Sequence, residues 1–166
     1  MEMVGRLSMC AASLAWTVSG TAAAAADFSL TIGNPVAASG PSSTTPVIKT
    51  KVAKNALFAV RFEDCAELDK AQISGIGEGI VDGARVSAPV VITPAGSPGV
   101  FVASPSWDQI QGAWVVSLSA SCGKATKGAL VPVGPQGFIR EKIKLLPRQA
   151  TKAEIDAALK TAESVK

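Results

Sequence analysis

The sequence predicts an all-β chain: a two-layer antiparallel β-sandwich with one short C-terminal α-helix. Three observations carry that expectation. Short segments that alternate apolar and polar residues recur along most of the chain. Turn residues separate them at close intervals, with 15 Gly and 10 Pro among 166 residues. Helical periodicity is confined to the C-terminal end. Many short strands, each with one buried face, pack as two sheets around a shared core.

Taken in order, residues 27–33 set Phe28, Leu30 and Ile32 against polar neighbours, the pattern of a first strand. Residues 34–46 are rich in Pro, Ala, Ser, Gly and Thr and read as a loop or linker, with room to detach that strand from the body. Residues 57–63 place Phe58, Val60 and Phe62 on one face and Arg61 and Glu63 on the other. Residues 71–81 form a glycine-laced apolar stretch ending in Asp82-Gly83, the dipeptide of a tight hairpin. Residues 85–93 are its return strand, which Pro89 assigns to a sheet edge because proline donates no N–H to a ladder. Pro98-Gly99 introduces a strand at 100–103. Residues 113–122 follow Gly112, with Trp114, Val116, Leu118 and Ala120 facing the core and Ser117, Ser119 and Ser121 facing water. A strand at 129–133 ends at Gly134-Pro135. Residues 138–145 alternate Arg140, Lys142 and Lys144 with Ile139, Glu141, Ile143 and Leu145, giving a last strand with a basic face. Thr151 and Glu154 have the spacing of a capping box. Behind it, Ile155, Ala158, Leu159, Ala162 and Val165 make an apolar stripe, and Asp156 stands four residues before Lys160. The body is thus residues 27–147 and the helical tail residues 148–166.

The front of the chain has a different character. Arg6 precedes a short apolar run at 7–18, then Ser19-Gly20-Thr21 and an alanine series up to Asp27. That order predicts a cleaved secretory signal peptide over residues 1–26, cut after Ala26. An uncleaved anchor or a buried helix is the alternative, though the run falls short of the roughly 20 residues that a span needs. Leu7-Ser8-Met9-Cys10 only faintly follows a lipoprotein box, because Met9 stands where a small residue is wanted. Cleavage removes Cys10 and leaves Cys65 and Cys122, a pair that in an exported chain makes one disulfide. The other readings of the pair are a reactive thiol and a set of metal ligands.

Composition narrows the chemistry. The chain has no His and no Tyr. A Ser-His-Asp triad, a Cys-His pair and every His-ligated metal site are therefore excluded. Gly75-Ile76-Gly77-Glu78-Gly79 is not a dinucleotide fingerprint, since Ile80 and Asp82 stand where a third spaced glycine belongs. Alternate glycines in a strand instead permit a bulge or close packing. Glu63, Asp64, Glu67 and Asp69 crowd around Cys65 and offer oxygen ligands of the kind Ca²⁺ takes, without the spacing or glycine of a calcium loop. No local motif supports paired-carboxylate or Ser-Lys catalysis. The formal charge of +3 is uneven: residues 27–121 hold six basic and eight acidic groups, and residues 122–166 hold nine basic and four acidic. A basic C-terminal third reads either as a docking surface for an acidic partner or as a lysine-guarded edge. The export signal and scarce aromatics oppose nucleic-acid binding.

Trp107 and Trp114 fall between Cys65 and Cys122, an Ig-like order, but Trp114 shares a strand with Cys122 and the antibody signature is lacking. Cys65 also has the opposite parity to Phe62, so a bridge must leave from a strand end or bulge. Pro98-Gly99-Val100-Phe101-Val102, then Trp107, then Gly112-Ala113-Trp114-Val115-Val116-Ser117-Leu118 resembles the core pattern of the YtkA-like/FixH-like periplasmic Ig-like domains. The resemblance implies an Ig-like fold. It carries no ligands across, since relatives near copper handling use His and Met, and Met1, Met3 and Met9 all lie in the leader.

These readings converge on an exported, non-catalytic Ig-like interaction or accessory module of the cell envelope, periplasmic or secreted, with no cofactor. Its expected partner is an envelope protein or anionic surface meeting Arg140, Lys142, Lys144 and Arg148. Nucleic acid is not expected as a partner, nor a membrane span after cleavage. The alternative is a periplasmic metal-handling protein using Cys65 and Cys122 as thiolate ligands.

Overall fold

Apolar alternation between turn residues does produce strands in this chain, and nearly all of them pair antiparallel. The computed structural model describes residues 27–36, 48–49, 55–107 and 112–163. The expected leader, most of the 34–46 linker and Val165 lie outside the described residues. In chain order the strands are β1 (Ser29–Gly33), β2 (Pro35–Val36), β3 (Ile48–Lys49), β4 (Phe58–Glu63), β5 (Gln72–Val81) and β6 (Ala84–Pro94). They continue with β7 (Val100–Pro105), β8 (Ala113–Cys122), β9 (Ala125–Gly134), β10 (Gly137–Phe138) and β11 (Lys144–Leu146), and the chain closes with the helix α1 (Lys152–Glu163). Short 3-10 turns occupy Leu68–Lys70 and Arg140–Lys142. The linker is not wholly loop, because β2 forms a two-residue parallel pair with β3.

The main sheet runs β1-β4-β7-β6-β5-β8-β9-β10, with β11 also paired to β9, and it curls into a half-barrel. The curl is clearest in β6. Its first part, through Pro89, pairs with β5, and from Val90 onward it pairs with β7. Pro89 is therefore not at a sheet edge as expected. It stands where the strand changes partners, so its missing N–H interrupts no continuous ladder, and its carbonyl accepts a hydrogen bond from Ser106 Oγ at 2.6 Å. The Asp82-Gly83 turn joins β5 to β6 as expected, both residues having positive φ (51° and 77°).

Curling brings faces together that are distant in the strand order. Phe28, Leu30 and Ile32, with Phe58, Val60 and Phe62 of β4, share one core with Trp114, Val116, Leu118 and Ala120 of β8 and Ala129, Val131 and Val133 of β9. Phe28 stacks on Phe62 at 5.4 Å. The expectation that the first strand is detachable fails here. β1 pairs with β4 along its whole length, and Asp27 reaches Lys127 at 2.6 Å.

β8 and β9 are buried on both faces. Their outer side chains Val115 and Leu130 pack under Ala158, Leu159 and Ala162 of α1. That second cover explains an unbroken buried run from Gly128 to Val133, where a one-faced strand alternates. It also explains why Ser117, Ser119 and Ser121 are half-buried rather than open to water. The capping box forms: the Thr151 N–H donates to Glu154 Oε2 at 2.8 Å, and the Glu154 N–H donates to Thr151 Oγ1 at 3.4 Å. Asp156 does not pair with Lys160. It meets Lys152 at 3.2 Å and Arg85 of β6, which also grips Glu78 of β5, so this cluster pins the helix to the hairpin.

Residues 138–145 depart furthest from expectation. A single strand with a basic face is replaced by β10, a 3-10 turn and β11, each strand pairing with a different end of β9. Pro132 supplies the reason. Its carbonyl accepts from the Ile139 N–H at 2.8 Å, but it has no N–H to return, so no ladder can run through it.

Candidate functional site

The two ends of the half-barrel differ. At one end, Cys65 follows the end of β4 and bonds Cys122 at the end of β8, with S–S 2.07 Å and Cα–Cα 5.9 Å. Asp64, at φ 59°, turns the chain so that the cysteine leaves the strand end, as its parity requires. The metal-handling alternative needs two thiolates, which exist only after this bond is reduced. Two of the four acidic residues beside it are engaged elsewhere. Glu63 accepts from Thr31 Oγ1 at 2.8 Å, and Glu67 pairs with Lys70 at 2.7 Å. Among the described residues no group of three or more His, Cys, Asp or Glu is arranged to hold a metal ion.

The other end, among the described residues, is open. There the exit of β1, the entry of β4, the exit of β7 and the β9–β10 turn converge on a cavity of about 650 Å³. Its walls are the carboxamides Asn34, Asn55 and Gln136, the rings Trp107 and Phe138, and Leu57 with Pro35, Ala56, Pro105 and Gly137. Trp107 stacks on Trp114 with ring centroids 4.3 Å apart and planes 7° from parallel. Trp114 is 4% exposed and backs the half-buried Trp107, which alone of the two reaches the cavity.

Glycines make room for this stack. A Cβ on Gly77 would lie 2.5 Å from Trp107 Cη2, and one on Gly79 would lie 2.5 Å from Trp114 Cδ2. The alternate glycines of β5 are thus a bed for two indoles. The Trp107 Nε1–H is buried and has no acceptor among the described residues.

A second cavity of about 870 Å³ adjoins the first, sharing Asn34, Gln136, Gly137 and Phe138, and extends past Arg140 and Glu141 to Ala162 and Glu163 of α1. Arg140 lies over the Phe138 ring, 5.9 Å from its centroid, with one terminal nitrogen buried and unpartnered.

The expected basic partner surface is divided between these features. Arg140 belongs to the second cavity, Lys142 is half-buried in the 3-10 turn, and Lys144 is exposed at the start of β11. Arg148 is committed to Glu154 through contacts of 2.9 and 3.0 Å. That guanidinium, with the Thr151 donors, holds the Glu154 carboxyl at about 2, well below the usual range. Arg85 likewise lowers the Asp156 carboxyl.

Sequence reasoning missed the three carboxamides of the open end. They come from well-separated chain segments and follow no periodic pattern. The available signal was the glycine series at 75–79 opposite two tryptophans. The described lining of the first cavity offers amide donors and acceptors beside flat apolar rings.

Fold and site together define a disulfide-braced, curled antiparallel sheet with a docked C-terminal helix and a polar-aromatic cleft at its open end. No protein-family model matches the chain, and no curated protein or solved structure matches it. Among the described residues no helix is long and apolar enough to cross a membrane.

Proposed function

We propose that this chain is an exported, non-catalytic interaction module of the cell envelope, folded as an Ig-like two-layer sandwich and working in the periplasm or outside the cell. The observation that carries the reading is the contrast between its ends. A buried disulfide supports an oxidising compartment. The opposite end offers a cleft of about 650 Å³ lined by amides and aromatic rings, chemistry suited to holding a ligand. The shared core of β1 and β4 with β8 and β9 supports the sandwich reading, as does the resemblance of residues 98–118 to the YtkA-like/FixH-like domains. Arg140 lines the adjoining second cavity, and Lys142 and Lys144 follow it in the chain, a basic run suited to an acidic envelope protein or anionic surface, with Arg148 beyond them paired to Glu154.

The test is the intact mass of the full chain after expression in a bacterium with an envelope, measured without reductant on the exported fraction. The expected product begins at Asp27 and takes up no thiol label. A product retaining Met1, or lipidated at Cys10, contradicts the export reading. Two labelled thiols on Cys65 and Cys122 would favour the metal-handling reading instead.

A further inference from the structure

We propose that the open-end cleft is a saccharide site, taking a neutral pyranose oligosaccharide against Trp107 with its hydroxyls held by Asn34, Asn55 and Gln136. The inference rests on reading the cleft as a recognition site and assigns that site a ligand class. Elimination supplies the first argument. Among the described residues the cavity lining contains no ionisable side chain, so a charged ligand seated there would lose hydration without gaining a counter-charge from them. A purely apolar ligand would strip water from three carboxamides and give them nothing in return, at the cost of unmade hydrogen bonds. The described lining therefore suits an occupant that is neutral, rich in donors and acceptors at its rim, and apolar on a face. A pyranose ring has that form: its axial C–H groups make a flat apolar patch and its hydroxyls both donate and accept.

The aromatic arrangement is the second argument. Trp107 is a platform held from behind, stacked on Trp114 and bedded on Gly77, so its orientation at the cavity wall is set before any ligand arrives. A pre-oriented surface lowers the ordering cost of binding. Size agrees as well, since a cavity of about 650 Å³ lies within the roughly 300–1,000 Å³ typical of small-molecule sites. The wall shared with the second cavity gives a chain of sugar units a direction in which to continue, past Phe138.

The test is a titration of the oxidised full chain with cellotetraose, maltotetraose and N-acetylated chitotetraose, followed by intrinsic tryptophan fluorescence. Trp107 and Trp114 are two of the chain's three tryptophans, so a saturable change that Trp16→Phe leaves in place reports the stack. At least one of the three sugars is expected to change the emission saturably, with affinity in the micromolar to millimolar range. Asn55→Ala and Gln136→Ala each remove one exposed carboxamide and are expected to weaken that binding about fivefold without altering the melting temperature. Trp107→Ala should abolish binding, but it also empties the indole bed and can unfold the end, so the amide variants decide the matter. No saturable change with any of the three sugars, or unchanged affinity in both amide variants, overturns the proposal. Either result leaves the export reading standing on its own mass measurement, so the two can fail separately.

Discussion

The braced end and the open end of the half-barrel are built from the same strands and solve opposite problems. At the braced end, a disulfide, an Asp27–Lys127 ion pair and the Phe28–Phe62 stack tie β1, β4, β8 and β9 together. At the open end the same strands part around a cavity, and an indole pair on a glycine bed keeps the wall in place. On the proposed reading, stability and recognition fall at different ends of one sheet.

Removing the brace should produce the largest effect. Cys65→Ser with Cys122→Ser frees a loop of 57 residues in the unfolded chain, and denaturant titration should show a loss of about 4 kcal/mol. An intermediate effect is expected at the glycine bed. Gly79→Ala drives a methyl into the deeply buried Trp114 and should cost about 1–3 kcal/mol by chemical denaturation. Gly77→Ala meets the half-buried Trp107, which has the cavity to move into. It should cost less than Gly79→Ala while shifting tryptophan emission more, and the reverse order would break the contrast between platform and backing.

The smallest effect is acid-dependent and lies at neither end. Glu154 is held at about 2 when folded, against 4.5 for the free group. A depressed carboxyl contributes stability that is complete above the unfolded value and is lost as pH falls through the folded one. Helix docking should therefore weaken from about pH 4.5 downward, towards pH 2. Glu154→Gln should flatten that slope in circular dichroism at low pH, and an unchanged slope would remove Glu154 as its cause. Thr151→Ala removes the reciprocal cap and should cost about 1 kcal/mol at neutral pH.

Where local chemistry decides the outcome, the sequence was a good guide. The span of β8 was readable because Gly112 punctuates its start and apolar residues alternate through it. The Asp82-Gly83 turn, the Thr151–Glu154 cap and the pairing of Cys65 with Cys122 were readable for the same reason: each depends on neighbours or on simple counting. Pro89 misled, because whether a missing N–H faces an edge or a change of partner is settled by strands far away in the chain. The alternation at 138–145 misled too, since Pro132 on the partner strand forbids the ladder that the pattern implies. Full burial of β9 depended on α1 covering its outer face, a tertiary fact invisible in the strand itself. The cleft was the least legible feature. Asn34, Asn55, Trp107 and Gln136 are far apart in sequence, and only the curl of the sheet gathers them.

The central claim, that recognition belongs to the open end, is tested most directly by mapping amide chemical shifts of the isotopically labelled, oxidised chain during the oligosaccharide titration. The account predicts changes clustered on Asn34, Asn55, Trp107, Gln136 and Phe138, with the signals of Cys65 and Cys122 unmoved. Changes centred on the disulfide end, or spread along Lys142, Lys144 and Arg148 with the rim silent, would contradict it.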